Sequence, residues 1–209
     1  ACIMALAALV GTFAREGGGV AALSEAMPVF SVKSLPTTDV PVQPTRTINA
    51  IDLGRVLLEE DDPPIMSLYV YGSNPAVVAP DQRRVLEGLA RKDLFTVVHE
   101  QVMTDTARFA DLVLPATTAF EHDDAYRGSA YPTVQFGYAC VEPHAQARSN
   151  NDVFRELARR MGYADACFKL TDVEMMERLI ENAPYAFTED ELCDLRAGKP
   201  VVTKRDQFE

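Results

Sequence analysis

Three short apolar runs, each continuous rather than alternating, constrain the fold of this sequence more than any other feature. They are Met66–Tyr71, Leu94–Val98 and Leu112–Leu114. Each is too short for a helix, and none shows the strict polar–apolar alternation of a sheet with one wet face. Between the first two, Asp81–Arg91 places Val85, Leu86, Leu89 and Ala90 on one helical face, opposite Arg83, Arg84 and Glu87. Between the second and third, Thr104 caps a short helix ending near Ala110, and Pro115 closes the third run. Strand, helix, strand, short helix, strand predicts an α/β fold whose parallel sheet is covered by helices on both faces.

The flanking sequence predicts further elements. Ala5–Ala14 reads as a buried helix, stopped by Gly17-Gly18-Gly19, and Ile51–Glu59 as a second helix ahead of Pro63-Pro64. From Met27 to Asn49 the prolines at 28, 36, 41 and 44 and the lack of periodicity predict an extended surface loop. After Pro143 the chain turns helical. Asn150 and Asn151 are candidate N-caps for a helix that aligns Val153, Phe154, Leu157, Ala158 and Met161 and stops at Gly162. Thr171–Glu174 and Thr188–Glu191 each fit a capping box opening another helix, with no closing element after them. The expected division is residues 1–143 as one domain and 144–209 as a helical segment belonging to a neighbouring domain.

Composition narrows the function classes. A chain of 209 residues can bury one substantial core. A formal net charge of -11 argues against nucleic acid, since phosphate neutralisation needs a basic surface. The cysteines at 2, 140, 167 and 193 form no C-x-x-C pair, and only His99, His122 and His144 could add imidazole, so no self-contained metal site is expected. The apolar start lacks a basic n-region and is short of the roughly 20 residues of a membrane span, so no membrane insertion is expected. A first residue other than Met suggests a piece of something longer.

In an open parallel sheet, ligands bind beyond the carboxyl ends of the strands. The first such end is Gly72-Ser73-Asn74-Pro75, where glycine lets the backbone approach a phosphate; the same residues also read as a plain turn. The second is His99-Glu100-Gln101, placed directly after the strand. A carboxylate there suits a ribose diol or the paired N–H donors of guanine. The third is Pro115-Ala116-Thr117-Thr118. Thr104, Asp105 and Thr106 either join this edge or only cap a helix. His122, without a second histidine at ligand spacing, reads as a loop residue.

The stretch from Thr104 to Glu121, TDTARFADLVLPATTAFE, closely resembles a signature of prokaryotic molybdopterin oxidoreductases of the DMSO reductase and formate dehydrogenase type. Small residues, an Ala-Asp pair, an apolar strand, Leu-Pro, two small residues and a Glu follow in the same register. Tyr71–Pro75 is similar to the family's glycine-x-asparagine-proline turn, while Leu9–Gly19 and Ser149–Gly162 are similar to the stretches that enter and leave that domain. The resemblance weakens after about Asp165.

It implies a Rossmann-like lobe gripping one guanine dinucleotide arm of a bis-pterin cofactor, a bis-molybdopterin guanine dinucleotide that carries molybdenum or tungsten. Gly72, Ser73 and Asn74 would meet phosphate and ribose. His99, Glu100 and Gln101 would read ribose or guanine, with Thr104 and Asp105 beside them. Asp111 and Glu121 would either join the site or fix its loops.

The family's iron–sulfur cysteines, its metal ligand and its C-terminal barrel have no counterpart here, so an iron–sulfur cluster is expected only in an N-terminal part outside this sequence. Arg127–Gln135 also departs from the family's Asn-x-Glu-Gly-Arg-x-Gln stretch, which leaves the subclass open. Implied partners are the rest of a catalytic subunit and an iron–sulfur electron-transfer subunit. The default compartment is the cytoplasm, with the periplasm open. The competing expectations are a respiratory scaffold that lost its pterin and an ordinary nucleotide-binding module. The latter would show a fuller glycine-rich loop than this chain has.

Overall fold

The computed structural model describes residues 2–19, 29–31, 35, 45–128, 133–181 and 183–203. Most of the proline-rich stretch 27–49 lies outside them, as do residues 129–132 of the departure after the signature. The chain forms two compact units, one from residues 36–123 and 138–172, the other from 1–35, 124–137 and 173–209. These limits differ from a single break at 143, because residues 124–137 leave the first unit and the chain then returns to it.

The elements, in chain order, are α1 (Cys2–Leu9), α2 (Leu53–Glu59), β1 (Ser67–Tyr71), α3 (Pro75–Val78), α4 (Gln82–Leu89), β2 (Phe95–Glu100), β3 (Leu112–Pro115), β4 (Asp124–Arg127), β5 (Thr133–Gly137), α5 (Asn150–Arg160), α6 (Asp172–Ile180), α7 (Glu189–Arg196) and β6 (Val201–Val202), with short 3-10 turns between. The predicted parallel sheet is present in the order β1-β2-β3. Its register pairs Tyr71 with His99, and His99 with Leu114. Parallel pairing puts all three carboxyl ends on one edge.

Both faces of this sheet are covered. On one, Val70 and Val98 pack with Ala107, Ala110 and Val113, and Leu68 joins the cluster of Leu57, Val85 and Leu89 from α2 and α4. The helices meet closely because Gly54 and Gly88 sit at the contact: a Cβ on Gly88 would come within 2.6 Å of Leu57. Side chains alternate along a strand, so Tyr69 and Tyr71 point to the opposite face, where Phe154 of α5 meets their rings at 5.7 and 5.3 Å. Fully burying an apolar side chain such as Leu57, Val85 or Val98 is worth about 1.5–3 kcal/mol.

Several local details differ from the sequence reading. The first helix ends at Leu9, and Gly11 (φ 69°) separates it from a 3-10 turn at Thr12–Ala14, since that backbone conformation cannot continue a helix. The segment expected as a short helix from Thr104 is only a 3-10 turn at Ala107–Phe109. β2 runs on through His99 and Glu100, so these residues lie within the strand rather than after it. The cap of α5 is Ser149, whose hydroxyl accepts from the Asp152 N–H at 3.1 Å, with Asn150 and Asn151 already inside the helix.

In the other unit β4, β5 and β6 form an antiparallel sheet that the sequence did not predict. Phe136 is buried with Phe30 stacked on it at 6.3 Å, and Gln135 donates to the Gly198 carbonyl at 2.7 Å. The C-terminal part is helical in α6 and α7, but Val201–Val202 closes it by pairing with β5. The capping box at Thr188 and Glu191 is formed as predicted.

Candidate functional site

At the end of β1, Gly72 takes a left-handed backbone (φ 57°) with open space where a Cβ would stand, and Ser73 is exposed. Asn74 behaves differently. Its Oδ1 accepts from the Thr106 N–H at 3.2 Å and the Thr106 hydroxyl at 2.7 Å, while the Thr106 oxygen accepts from the Ala76 N–H at 3.0 Å. Thr106 is fully buried, so this chain of bonds bolts the turn after β1 to the segment after β2. The Asn74 carbonyl is thereby consumed by the loop and cannot also serve a ligand. Thr104 accepts from the Ala107 N–H at 3.2 Å, a capping role, and Asp105 is exposed.

At the end of β2, His99 is buried at 1% exposure and turned inward. Its Nε2 donates to the Arg148 carbonyl at 3.1 Å, and its Nδ1 lies 2.9 Å from the Asn150 Oδ1. It is therefore held away from any ligand at this edge. Glu100 is half-buried; Oε1 accepts from the Gln101 N–H at 2.8 Å, which leaves Oε2 as the acceptor it can offer. Gln101 donates to the Thr117 carbonyl at 3.0 Å.

Asp111 and Glu121 prove to be loop fixers. Asp111 accepts from the Thr96 N–H at 2.7 Å and so docks the start of β3 on β2. Glu121 accepts from the Thr118 N–H at 2.6 Å, the Thr118 hydroxyl at 2.8 Å and the His144 N–H at 2.7 Å. Those donors, the Thr118 amide foremost, hold the Glu121 carboxyl below its usual pKa against the smaller opposing effect of burial. His122 sits in the loop with Nδ1 2.9 Å from the Thr117 hydroxyl.

Between the β3 end and the returning chain lies a cavity of about 750 Å³, lined by Gln101, Pro115, Ala116, Thr118 and Glu121 on one side and by Cys140, Val141 and His144–Ala147 on the other. That is within the usual size range of small-molecule sites. Of the residues proposed to touch the cofactor only Gln101 lines it, joined by Pro115, Ala116 and Thr118 of the third strand end; Gly72 and Ser73 stand at the β1 end of the same edge. Sequence reading missed the second wall, residues 144–147, because nothing in Pro143–Arg148 marks it. It is built by the backbone: Arg148 donates to the Pro115 carbonyl and accepts from the Thr117 N–H, each at 3.1 Å. Among the described residues, no group of three or more His, Cys, Asp and Glu side chains is placed to hold a metal ion. None of the described helices is long and apolar enough to cross a membrane.

Residues 1–160 match the family described as molybdopterin oxidoreductase. The chain belongs to that family. It is 41% identical over 181 residues to the probable oxidoreductase YoaE of Bacillus subtilis (strain 168), covering 86% of this chain and 26% of that protein. It is 34% identical over 153 residues to the trimethylamine-N-oxide reductase of Haemophilus influenzae, covering 70% of this chain and 17% of the relative. The solved structure of acetylene hydratase from Pelobacter acetylenicus superimposes with a TM-score of 0.59 at 26% identity, over 76% of this chain and 21% of the other. A reductase and a hydratase by name share this lobe, so the lobe by itself does not set the reaction. Family membership implies a molybdenum or tungsten pterin cofactor in the oxidoreductase.

Proposed function

We propose that this chain anchors one guanine-nucleotide arm of a molybdopterin guanine dinucleotide, holding it at the carboxyl edge of the parallel sheet. The observation that carries the reading is the pairing, within the family-matched residues, of an open glycine turn with a nucleoside-sized cavity on one sheet edge. The donor set fits the group. Gly72 and Ser73 offer exposed backbone for a phosphate. Glu100 offers an acceptor, and Gln101, Thr118 and the 144–147 wall offer a pocket of mixed polarity for the nucleoside.

When bound, the cofactor supplies the two-electron oxo or hydride chemistry, as in formate oxidation or reduction of an S- or N-oxide. This chain supplies position, and by itself is catalytically silent. Its partners on this reading are the rest of the catalytic subunit and an iron–sulfur electron-transfer subunit.

The test is Glu100→Ala in the protein at its full natural length, prepared without pterin and titrated with GMP by calorimetry. Loss of one acceptor to a guanine or ribose donor is expected to cost about 1–3 kcal/mol, roughly 5- to 150-fold in Kd. An unchanged Kd would remove Glu100 from the site, and no GMP binding by the unsubstituted protein would remove the site itself.

A further inference from the structure

We infer that His99 is the positioning residue of the nucleotide cavity, acting through the Arg148 carbonyl and not by touching ligand. The inference rests on the anchoring function proposed above and reassigns one of its residues.

The two walls of the cavity come from different sources. One wall is the sheet itself, the ends of β2 and β3, held by the ladder that pairs His99 with Leu114 and Glu100 with Pro115. The other, His144–Ala147, belongs to no helix or strand, and Ala145 sits at φ 51°, a conformation that non-glycine residues adopt only when neighbours hold them there. The Glu121 carboxylate holds one end of this wall by accepting from the His144 N–H at 2.7 Å, and the other end is attached at Arg148. There the chain makes an isolated parallel bridge with Ala116, through two backbone bonds to Pro115 and Thr117. A bridge of one residue at a sheet edge is a weak hold.

His99 adds the third bond. Its Nε2 reaches the same carbonyl that accepts from Thr117, and because a carbonyl only accepts, Nε2 carries the proton of this contact. The ring comes from the central strand of the sheet, the most constrained element available, and is buried, so water does not compete for the bond. Its other nitrogen faces Asn150 in the first turn of α5, which fixes the ring plane. His99 thus transmits the position of β2 to the wall across the cavity. The distance between the Gln101 side and the His144–Ala147 side follows from it.

The test uses three variants of the protein at its full natural length, prepared without pterin, each measured for GMP affinity and for thermal unfolding. His99→Leu fills the space and removes both contacts. His99→Gln places an amide N–H about where Nε2 stood, and His99→Asn places one about where Nδ1 stood. The expected result is that the Leu and Asn variants bind GMP about 10-fold more weakly, a loss of one hydrogen-bond equivalent, while Gln stays within about threefold of the unsubstituted protein.

A residue that served stability alone would lower the unfolding temperature without separating Gln from Asn in Kd. Equal GMP affinity in the Gln and Asn variants, or a folded Leu variant within about twofold of the unsubstituted protein, overturns the inference. If Leu does not fold, the Gln–Asn pair decides it. Absence of GMP binding in the unsubstituted protein overturns the anchoring function itself, and is read separately from the variants.

Discussion

At one edge of one sheet, polar residues of similar appearance do two different kinds of work. Asn74, Thr106, Glu121 and His99 are spent on the loops: each satisfies a backbone or side-chain group of a neighbouring segment. Gly72, Ser73 and Asp105 stay exposed, while Glu100 and Gln101 each keep an oxygen that their own bonds leave over. A precise site needs both. Loops that carry a ligand must first have their own hydrogen bonds met, and the groups left over are the ones a ligand can use.

The sharpest way to break this division is Thr106→Val, which keeps the shape and deletes the hydroxyl between Asn74 and Ala76. It strands the Ala76 N–H and half of the Asn74 contact, so a loss of about 1–3 kcal/mol is expected in urea unfolding. A variant as stable as the original would show that the bolt carries nothing.

Glu121→Gln comes next. Because the Glu121 carboxyl titrates below its ordinary value in the folded protein, its stabilisation is fully present above the unfolded pKa and is lost as the pH falls through the folded one. The urea midpoint of the original protein should therefore fall more steeply than that of the Gln variant as the pH drops below the ordinary carboxylate range, with the two curves converging at the acid end. Parallel curves would contradict the assignment of Glu121 as a charged loop staple. Glu100→Ala should barely move either stability curve. Its effect belongs to GMP affinity, and a large stability loss there would place Glu100 among the spent residues instead.

How much of this was legible beforehand follows from how local each signal is. β1, α4, β2 and β3 could be read because each is a contiguous run with its own periodicity, and a parallel sheet buried on both faces leaves continuous apolar strands. The antiparallel sheet could not be read in the same way. Its strands are two to five residues long, and β6 at Val201–Val202 is a strand only because β5 lies beside it.

The site divided along the same line. The Thr104–Glu121 signature contains residues that line the cavity, and the glycine at 72 marks an open turn at the β1 end. Residue type alone could not tell that Asn74 and His99 face inward, because that depends on Thr106, Arg148 and Asn150, which are 32, 49 and 51 positions away in the chain. The 144–147 wall left little signal, since backbone pairing at Arg148 holds one end of it and only the bond from the His144 N–H to Glu121 involves a residue the sequence had singled out.

The central claim is that the polar edge of the parallel sheet anchors a guanine nucleotide of a pterin cofactor. The most direct measurement is to purify the protein at its full natural length from its own host, denature it, and assay the guanine nucleotide and the molybdenum or tungsten released. Metal together with at least one guanine nucleotide per chain is the expected result. A well-folded protein that releases neither would contradict it, and would point to a scaffold that has kept the fold without the cofactor.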